Sequence, residues 1–378
     1  MNAVGNTQSN GSAKDMLFFR GRVALFHVLK TLGVGSGDEV VLQAFTCVAV
    51  PEAVMATGAR PVWVDLAENS VNLDPVDLAC KLTPRTKAVI VQHTFGIPAE
   101  LDAVMPLLET WKIPLIEDCC HAFASTHRQR VLGTIGAGAF WSYEWGKPVL
   151  AGVGGELVCN DPVLHARAAA EYQSCFRSPP VRRNVTIAIQ YCMHGLLYGP
   201  RRFWSVRRVF HLLGSVGVAQ SNYNPVGPGV AMAADFGWQM CGFSHRRLAD
   251  ARVRAVRSVA QRRQQAKRYE AALHPTAARI PSAPLGSDIV YSRFPIFVRE
   301  KDNLLQAACS INLELAAWYA TPVHPLAGEA LARVSYLPGS CPRAEAATKM
   351  FVSLPLGSKV NPAFQDALIE LINRHAAS

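Results

Sequence analysis

Residues 139–155 read AFWSYEWGKPVLAGVGG, a strand of large apolar residues that runs into a turn with one lysine and then a glycine-rich bend. Phe140, Trp141 and Tyr143 supply the apolar run. Gly152, Gly154 and Gly155 let the backbone fold back into a second strand, GELVCN. An ammonium carried to the floor of such a pocket loses hydration, which favours the free amine, and a free amine attacks carbonyl carbons. Lys147 is therefore a candidate Schiff-base lysine. Taken alone, a lysine in a loop is more often a surface residue at a turn.

Upstream of this stretch the chain alternates helix and strand signals. Val23, Leu25, Phe26, Val28, Leu29 and Leu32 have helical spacing that stops at Gly33. GDEVVLQ, PVWVDL, TKAVIVQ and IPLIED follow as short apolar strands, separated by helical stretches at Val48 to Thr57 and Leu101 to Trp111. That alternation predicts an α/β fold with a mostly parallel sheet covered on both faces. Ligands of such sheets bind beyond the carboxyl ends of the strands. Thr46, His93, Asp118 and Ser142 all fall at strand ends.

A carboxylate at Asp118 suits a cofactor pyridine, whose ring nitrogen it would keep protonated so that the ring takes up electrons. It also suits a plain helix cap. His121 would lie one turn further on, beside the ring, or serve as a structural histidine. Phosphate anchoring calls for backbone N–H groups at a helix start and a hydroxyl or cation. Gly21, Arg22 and Val23 open the first helix, and Ser142 precedes Lys147 by five residues, so the two elements can clamp a phosphate from opposite sides. The chain has no GxSxG elbow, no P-loop and no HExxH.

With 378 residues, half of them hydrophobic and 17% charged, the chain suits a large and a smaller domain around a sizeable core. We place a flexible tail at 1–14, a large domain at 15–242 and a small C-terminal α/β domain at 243–378, entered through a long charged helix from Ser244 to Leu273. Ten cysteines without a CxxC pair argue against a zinc site or a disulfide framework and suit a reducing cytoplasm. The first fourteen residues lack the apolar core of a secretion signal, and no apolar run matches a membrane span.

The net charge of +10 is concentrated in one place. From Tyr172 to Ala234 there is no Asp or Glu, while Arg177, Arg182, Arg183, Arg201, Arg202, Arg207 and Arg208 are interleaved with large apolar residues. This predicts a basic amphipathic helical insertion at about 177–228, suited to an anionic membrane surface, an anionic ligand or a second subunit. No nucleic-acid-binding module is recognisable.

Several segments together carry a resemblance. FFRGRVALFHVLKTLGVGSGDEVVLQAFTCVAVPEAVMATGARPVWVDL, LTPRTKAVIVQHTFGIPAELDAV, PLIEDCCHAFAS and FWSYEWGKPVLAGVGGELV, then RRQQAKRYEAAL, WYATPVHPL and MFVSLPLGS, resemble in order the DegT/DnrJ/EryC1/StrS sugar aminotransferases. The resemblance implies the pyridoxal-phosphate (PLP)-dependent transferase fold type I, like aspartate aminotransferase, with a mostly parallel seven-stranded sheet in the large domain. It implies that Lys147 bonds the cofactor and shuttles protons, that Asp118 partners the pyridine nitrogen and that His121 lies beside the ring. Gly21, Arg22, Val23 and Ser142 would hold the phosphate, Cys47 would lie over the cofactor face, and His93, Tyr319 and His324 would face substrate.

The resemblance further implies a homodimer, L-glutamate as amino donor and a keto sugar, nucleotide-linked, as acceptor, in amino-sugar, polysaccharide or natural-product biosynthesis. The expected location is cytoplasmic, with peripheral contact at the inner membrane surface through the insertion. Retention of Lys147 separates the chain from the family's dehydratases. Arg22 stands where the family commonly has Thr, Cys47 where it has an aromatic residue, and Val153 where it often has Glu. The family's inter-subunit Asn-Tyr-Arg segment has no counterpart in register, Asn222 and Asn224 being the nearest asparagines. A cyclitol or lipid-linked keto acceptor, a cofactor-binding regulator without turnover, and a membrane-bound scaffold on the same fold are the alternatives.

Overall fold

The computed structural model describes residues 16–215 and 232–375. The expected tail at 1–14, the end of the insertion, and Asn222 and Asn224 lie outside them. Seven strands form the main sheet: β1 (Met16–Phe18), β2 (Glu39–Gln43), β3 (Arg60–Val64), β4 (Thr86–Gln92), β5 (Leu115–Asp118), β6 (Gly138–Ser142) and β7 (Gly155–Cys159). Their spatial order is β1-β7-β6-β5-β4-β2-β3. Only β7 runs antiparallel to its neighbours.

The unbroken apolar runs explain why both faces are covered. Side chains alternate across a strand, so Val40 and Leu42 enter one hydrophobic core and Val41 enters another. Ala88 and Ile90 divide from Val89 and Val91 in the same way. Helices α1 (Gly21–Thr31), α2 (Ala49–Ala56), α3 (Pro75–Lys81) and α4 (Leu101–Trp111) connect these strands, and α5 (Pro162–Cys175) follows β7. Asp74 and Asp161 cap α3 and α5 by accepting backbone N–H bonds, each followed by a proline at the helix start. The sequence reading missed β1, whose three residues are too few to show a period; its partner is β7.

The insertion forms α6 (Val181–Leu197) and α7 (Phe203–Ser215). Helix α8 (Gly242–Ala272) starts two residues before the expected Ser244 and leads into the C-terminal part. There β8 (Phe294–Phe297) pairs antiparallel with β9 (Phe351–Leu354), flanked by α9 (Lys301–Ser310), α10 (Pro342–Met350) and α11 (Pro362–His375). Val323–His324 pairs in parallel with Thr46–Cys47, so the C-terminal part lies directly against the loop after β2.

Candidate active site

Strands β2, β4, β5 and β6 end on the same edge, because they are parallel neighbours in register. Asp118 closes β5, and the turn Cys119–Ala122 that follows carries His121. The Asp118 carboxylate accepts the Cys120 N–H at 3.0 Å. Burial raises its proton affinity above the usual carboxylate range, and the nearby Lys147 charge opposes that shift. Beyond β6, the turn fixed by Lys147 N–H to Glu144 O (3.2 Å) aims Lys147 at this floor. Its Nζ lies 2.9 Å from His121 Nε2 and 5.8 Å from the centre of the Trp318 ring.

The His121 ring is buried and stacks on Phe95 at 5.1 Å. Its Nδ1 accepts the Phe95 N–H at 3.3 Å. Burial, with the Lys147 charge, pushes its pKa well below the ordinary histidine value, so the ring is neutral at pH 7. Nε2 is the ring atom that faces Lys147. Tyr319, 4% exposed, packs against Phe45 (5.4 Å), His121 (6.3 Å) and His324 (6.1 Å). Burial, then the charges of Arg207 and Lys301, lower His324 to about 4. Cys47, partly exposed, has its thiol pushed up to about 11 by burial.

Gly21 heads α1 against β6: a Cβ there would sit 3.1 Å from Ser142 Cβ. Gly155 is obligatory at the start of β7, since a Cβ would meet Arg20 O at 2.3 Å. The start of α1 at Gly21 and the Ser142 side chain thus lie together. The Val23 N–H instead returns to Arg20 O at 3.1 Å.

Two expectations need correction. The Arg22 side chain, 2% exposed, does not extend toward Ser142 as a phosphate clamp. It is held by Glu52 at 3.1 Å and Asp235 at 2.6 Å, so its charge is already balanced. Arg20 extends the same buried network to Glu144 at 3.0 Å. His93 does not face substrate. It is fully buried, with Nδ1 accepting the Ala99 N–H (3.2 Å) and Nε2 on Glu117 (3.1 Å). Glu117 also accepts the N–H groups of Gly133, Ile135 and Gly136 at 2.7–2.8 Å. His93, Glu117 and Cys119 lie within 4.8 Å of one another, but the Glu117 oxygens are committed to those bonds, so the cluster is a brace beneath the site.

Several contributors escaped the sequence reading. Phe95 follows β4 directly in the run HTFG, and Trp318 precedes Tyr319, so both lay beside residues already singled out. Tyr143 bonds Glu156, which holds Arg252 at 2.7 Å, under the lysine turn. Trp145 packs its ring at 4.9 Å from His194 of α6, so the insertion builds one wall beside Lys147.

The sequence profile of the DegT/DnrJ/EryC1/StrS aminotransferase family matches residues 18–197 and 250–373. The chain belongs to that family. The unmatched interval holds α7. L-glutamine:2-deoxy-scyllo-inosose aminotransferase of Micromonospora echinospora is 38% identical over 148 residues, 39% of this chain and 35% of that protein. GDP-perosamine synthase of Escherichia coli O157:H7 is 34% identical over 147 residues, 39% and 40% of the two chains. The chain therefore aligns with well under half the length of these relatives. A solved structure of a putative sugar aminotransferase, Spr1654 from Streptococcus pneumoniae in its PLP form, has a TM-score of 0.75 at 18% identity, covering 96% of this chain and 87% of that one. The fold is that of the PLP-dependent aminotransferases.

Proposed function

We propose that the protein is a PLP-dependent aminotransferase that moves an amino group from L-glutamate to the keto group of a nucleotide-linked sugar. The observation that carries this reading is the convergence of the Lys147 amine, the neutral His121 ring and the buried Asp118 carboxyl on one sheet edge. These residues fit the cofactor by the chemistry of the donor set. An amine suits its aldehyde, a buried carboxyl of raised proton affinity suits its ring nitrogen, and a helix start beside a serine suits its phosphate. Lys147 would hold it covalently, with Asp118 at the ring nitrogen and Gly21, Arg22 backbone and Ser142 at the phosphate. The balanced Arg22 guanidinium leaves the phosphate to backbone N–H groups and a hydroxyl.

Pyridoxal phosphate, when bound, supplies an aldehyde that condenses with amines and a ring that accepts the electron pair released when an α-proton leaves. The chain supplies the proton handling. His121, 2.9 Å from Nζ through its Nε2, would hold the lysine amine in place at the site. The Lys147 amine would be the base for the donor's α-proton and would carry that proton within the site. Asp118 would keep a proton at the ring nitrogen. The aromatic wall of Phe95, Trp318 and Tyr319 keeps water from these transfers.

The two curated relatives separate the readings of the acceptor. The name GDP-perosamine synthase supports a nucleotide sugar; L-glutamine:2-deoxy-scyllo-inosose aminotransferase supports a cyclitol and glutamine as donor. A homodimer is proposed with either. Titration of the PLP-loaded protein with glutamate, and separately glutamine, is expected to bleach the visible cofactor band. A panel of nucleotide keto sugars and keto-cyclitols then identifies the acceptor by return of the band. Indifference of the band to every amino donor would overturn the proposal.

A further inference from the structure

Helix α6 has two apolar faces, and only one is used. Its inner face seats Ile187, 4% exposed, and Tyr191 against the lysine turn, where a Cβ on Gly152 would touch both. Tyr191 also packs on Phe243 of α8 at 5.5 Å. The outer face carries Val181, Val185, Ile189, Met193 and Leu196, which are 78%, 53%, 59%, 48% and 73% exposed. Spacings of four, four, four and three place them in a single stripe of roughly 120° along a helix roughly 25 Å long. A continuous apolar stripe on an exposed helix marks an interaction surface.

Charge selects the occupant. Arg182 lies within the same arc of α6 and is exposed, as are Arg177, Arg201, Arg202, Arg207 and Arg208 of the same segment. No acidic residue from 172 to 234 balances them. A second copy docked here across a two-fold axis would set this arginine-bearing segment against itself, like charge on like charge. A nucleic acid would use the arginines and have no use for five exposed aliphatic side chains. A bilayer rich in anionic phospholipid uses both, with the stripe in the headgroup boundary and the guanidinium groups on the phosphates.

We propose that the outer face of α6 docks the enzyme flat on an anionic phospholipid bilayer. No helix among the described residues is long and apolar enough to cross a membrane, so the attachment is peripheral. The inner face of α6 touches Trp145 and the lysine turn, so the docked surface backs directly onto the wall of the site. This inference does not depend on which acceptor is used.

Flotation of the full-length, PLP-loaded protein with phosphatidylcholine vesicles, and with equimolar phosphatidylcholine–phosphatidylglycerol vesicles, tests it. The wild type is expected to float only with the anionic vesicles and to detach as salt is raised. Ile189→Glu/Met193→Glu and, separately, Arg182→Glu/Arg202→Glu are each expected to lower partitioning about tenfold, with the cofactor band and elution volume of the wild type. Three results would overturn the proposal: equal binding to both vesicle types, no binding to the anionic ones, or variants that partition like the wild type. A variant that eluted as a smaller species would also overturn it and assign the stripe to self-association.

Discussion

Glu117 and Arg182 are both charged, yet the molecule treats them in opposite ways. Glu117 is fully buried at the end of β5 and held by three backbone N–H groups and His93. Arg182 stands exposed at the start of α6, in a segment with no carboxylate of its own. The same contrast separates the two regions as wholes. Around Glu117 the polar groups are buried and bonded to one another, so little can move there without leaving a charge unpaired. Among the described residues the insertion is fastened by Ile187, Tyr191 and the Trp204 bond to Leu313 O at 2.7 Å, and the outer face of α6 is open. The floor is built to hold one chemistry in place, and the insertion to meet whatever lies outside.

The largest expected effect lies on the floor. Lys147→Ala should remove the visible band of bound PLP and lower turnover by about 10³-fold or more, measured by absorbance and by donor-to-acceptor transfer. Full activity would break the assignment of that region as catalytic.

Glu117→Gln comes next. An amide cannot accept all the bonds that Glu117 takes, so stability should fall by about 3 kcal/mol in denaturant unfolding. The pH dependence has a definite sign. Burial opposes ionisation of Glu117, but bonds from His93, Gly136 and Gly133 outweigh it and hold the carboxyl below its usual 4.5. Its contribution is therefore fully present above pH 4.5 and is lost as pH falls through the lower folded-state value. Glu117→Gln should flatten that acid limb of the stability curve.

Arg22→Thr sharpens the contrast at the edge of the floor. If Arg22 serves Glu52 and Asp235, the variant should lose about 2 kcal/mol of stability and still bind PLP with nearly unchanged affinity. A large loss of PLP affinity without loss of stability would restore Arg22 as a phosphate ligand. The smallest effect belongs to the insertion wall. Trp145→Ala should raise the acceptor KM about threefold to tenfold, the worth of one aromatic pair, and leave bleaching by the amino donor as in the wild type.

The sequence revealed these two regions unequally, for physical reasons. Strands β2 to β6 announce themselves because a sheet buried on both faces needs unbroken apolar runs, and Asp118 and Lys147 stand out because they interrupt such runs at their ends. Those signals are local. Arg22 was misread because its partners, Glu52 and Asp235, lie 30 and 213 residues away, and nothing near Arg22 in the chain shows that its charge is balanced. His93 follows β4 by one residue where Asp118 closes β5, and Glu117 of that next strand claims it. The insertion declared its charge and apolar content, while only the folded chain shows which of its two apolar faces is spent.

The pairing of Val323–His324 with Thr46–Cys47 has a consequence for synthesis. The loop after β2 leaves the ribosome early, but the segment that covers it follows on the order of tens of seconds later. Until then Phe45, Thr46 and Val48 lack the Pro322 and His324 carbonyls to which their N–H groups bond. The nascent chain must wait with its pocket unroofed, and a chain cut short before residue 322 can never finish it.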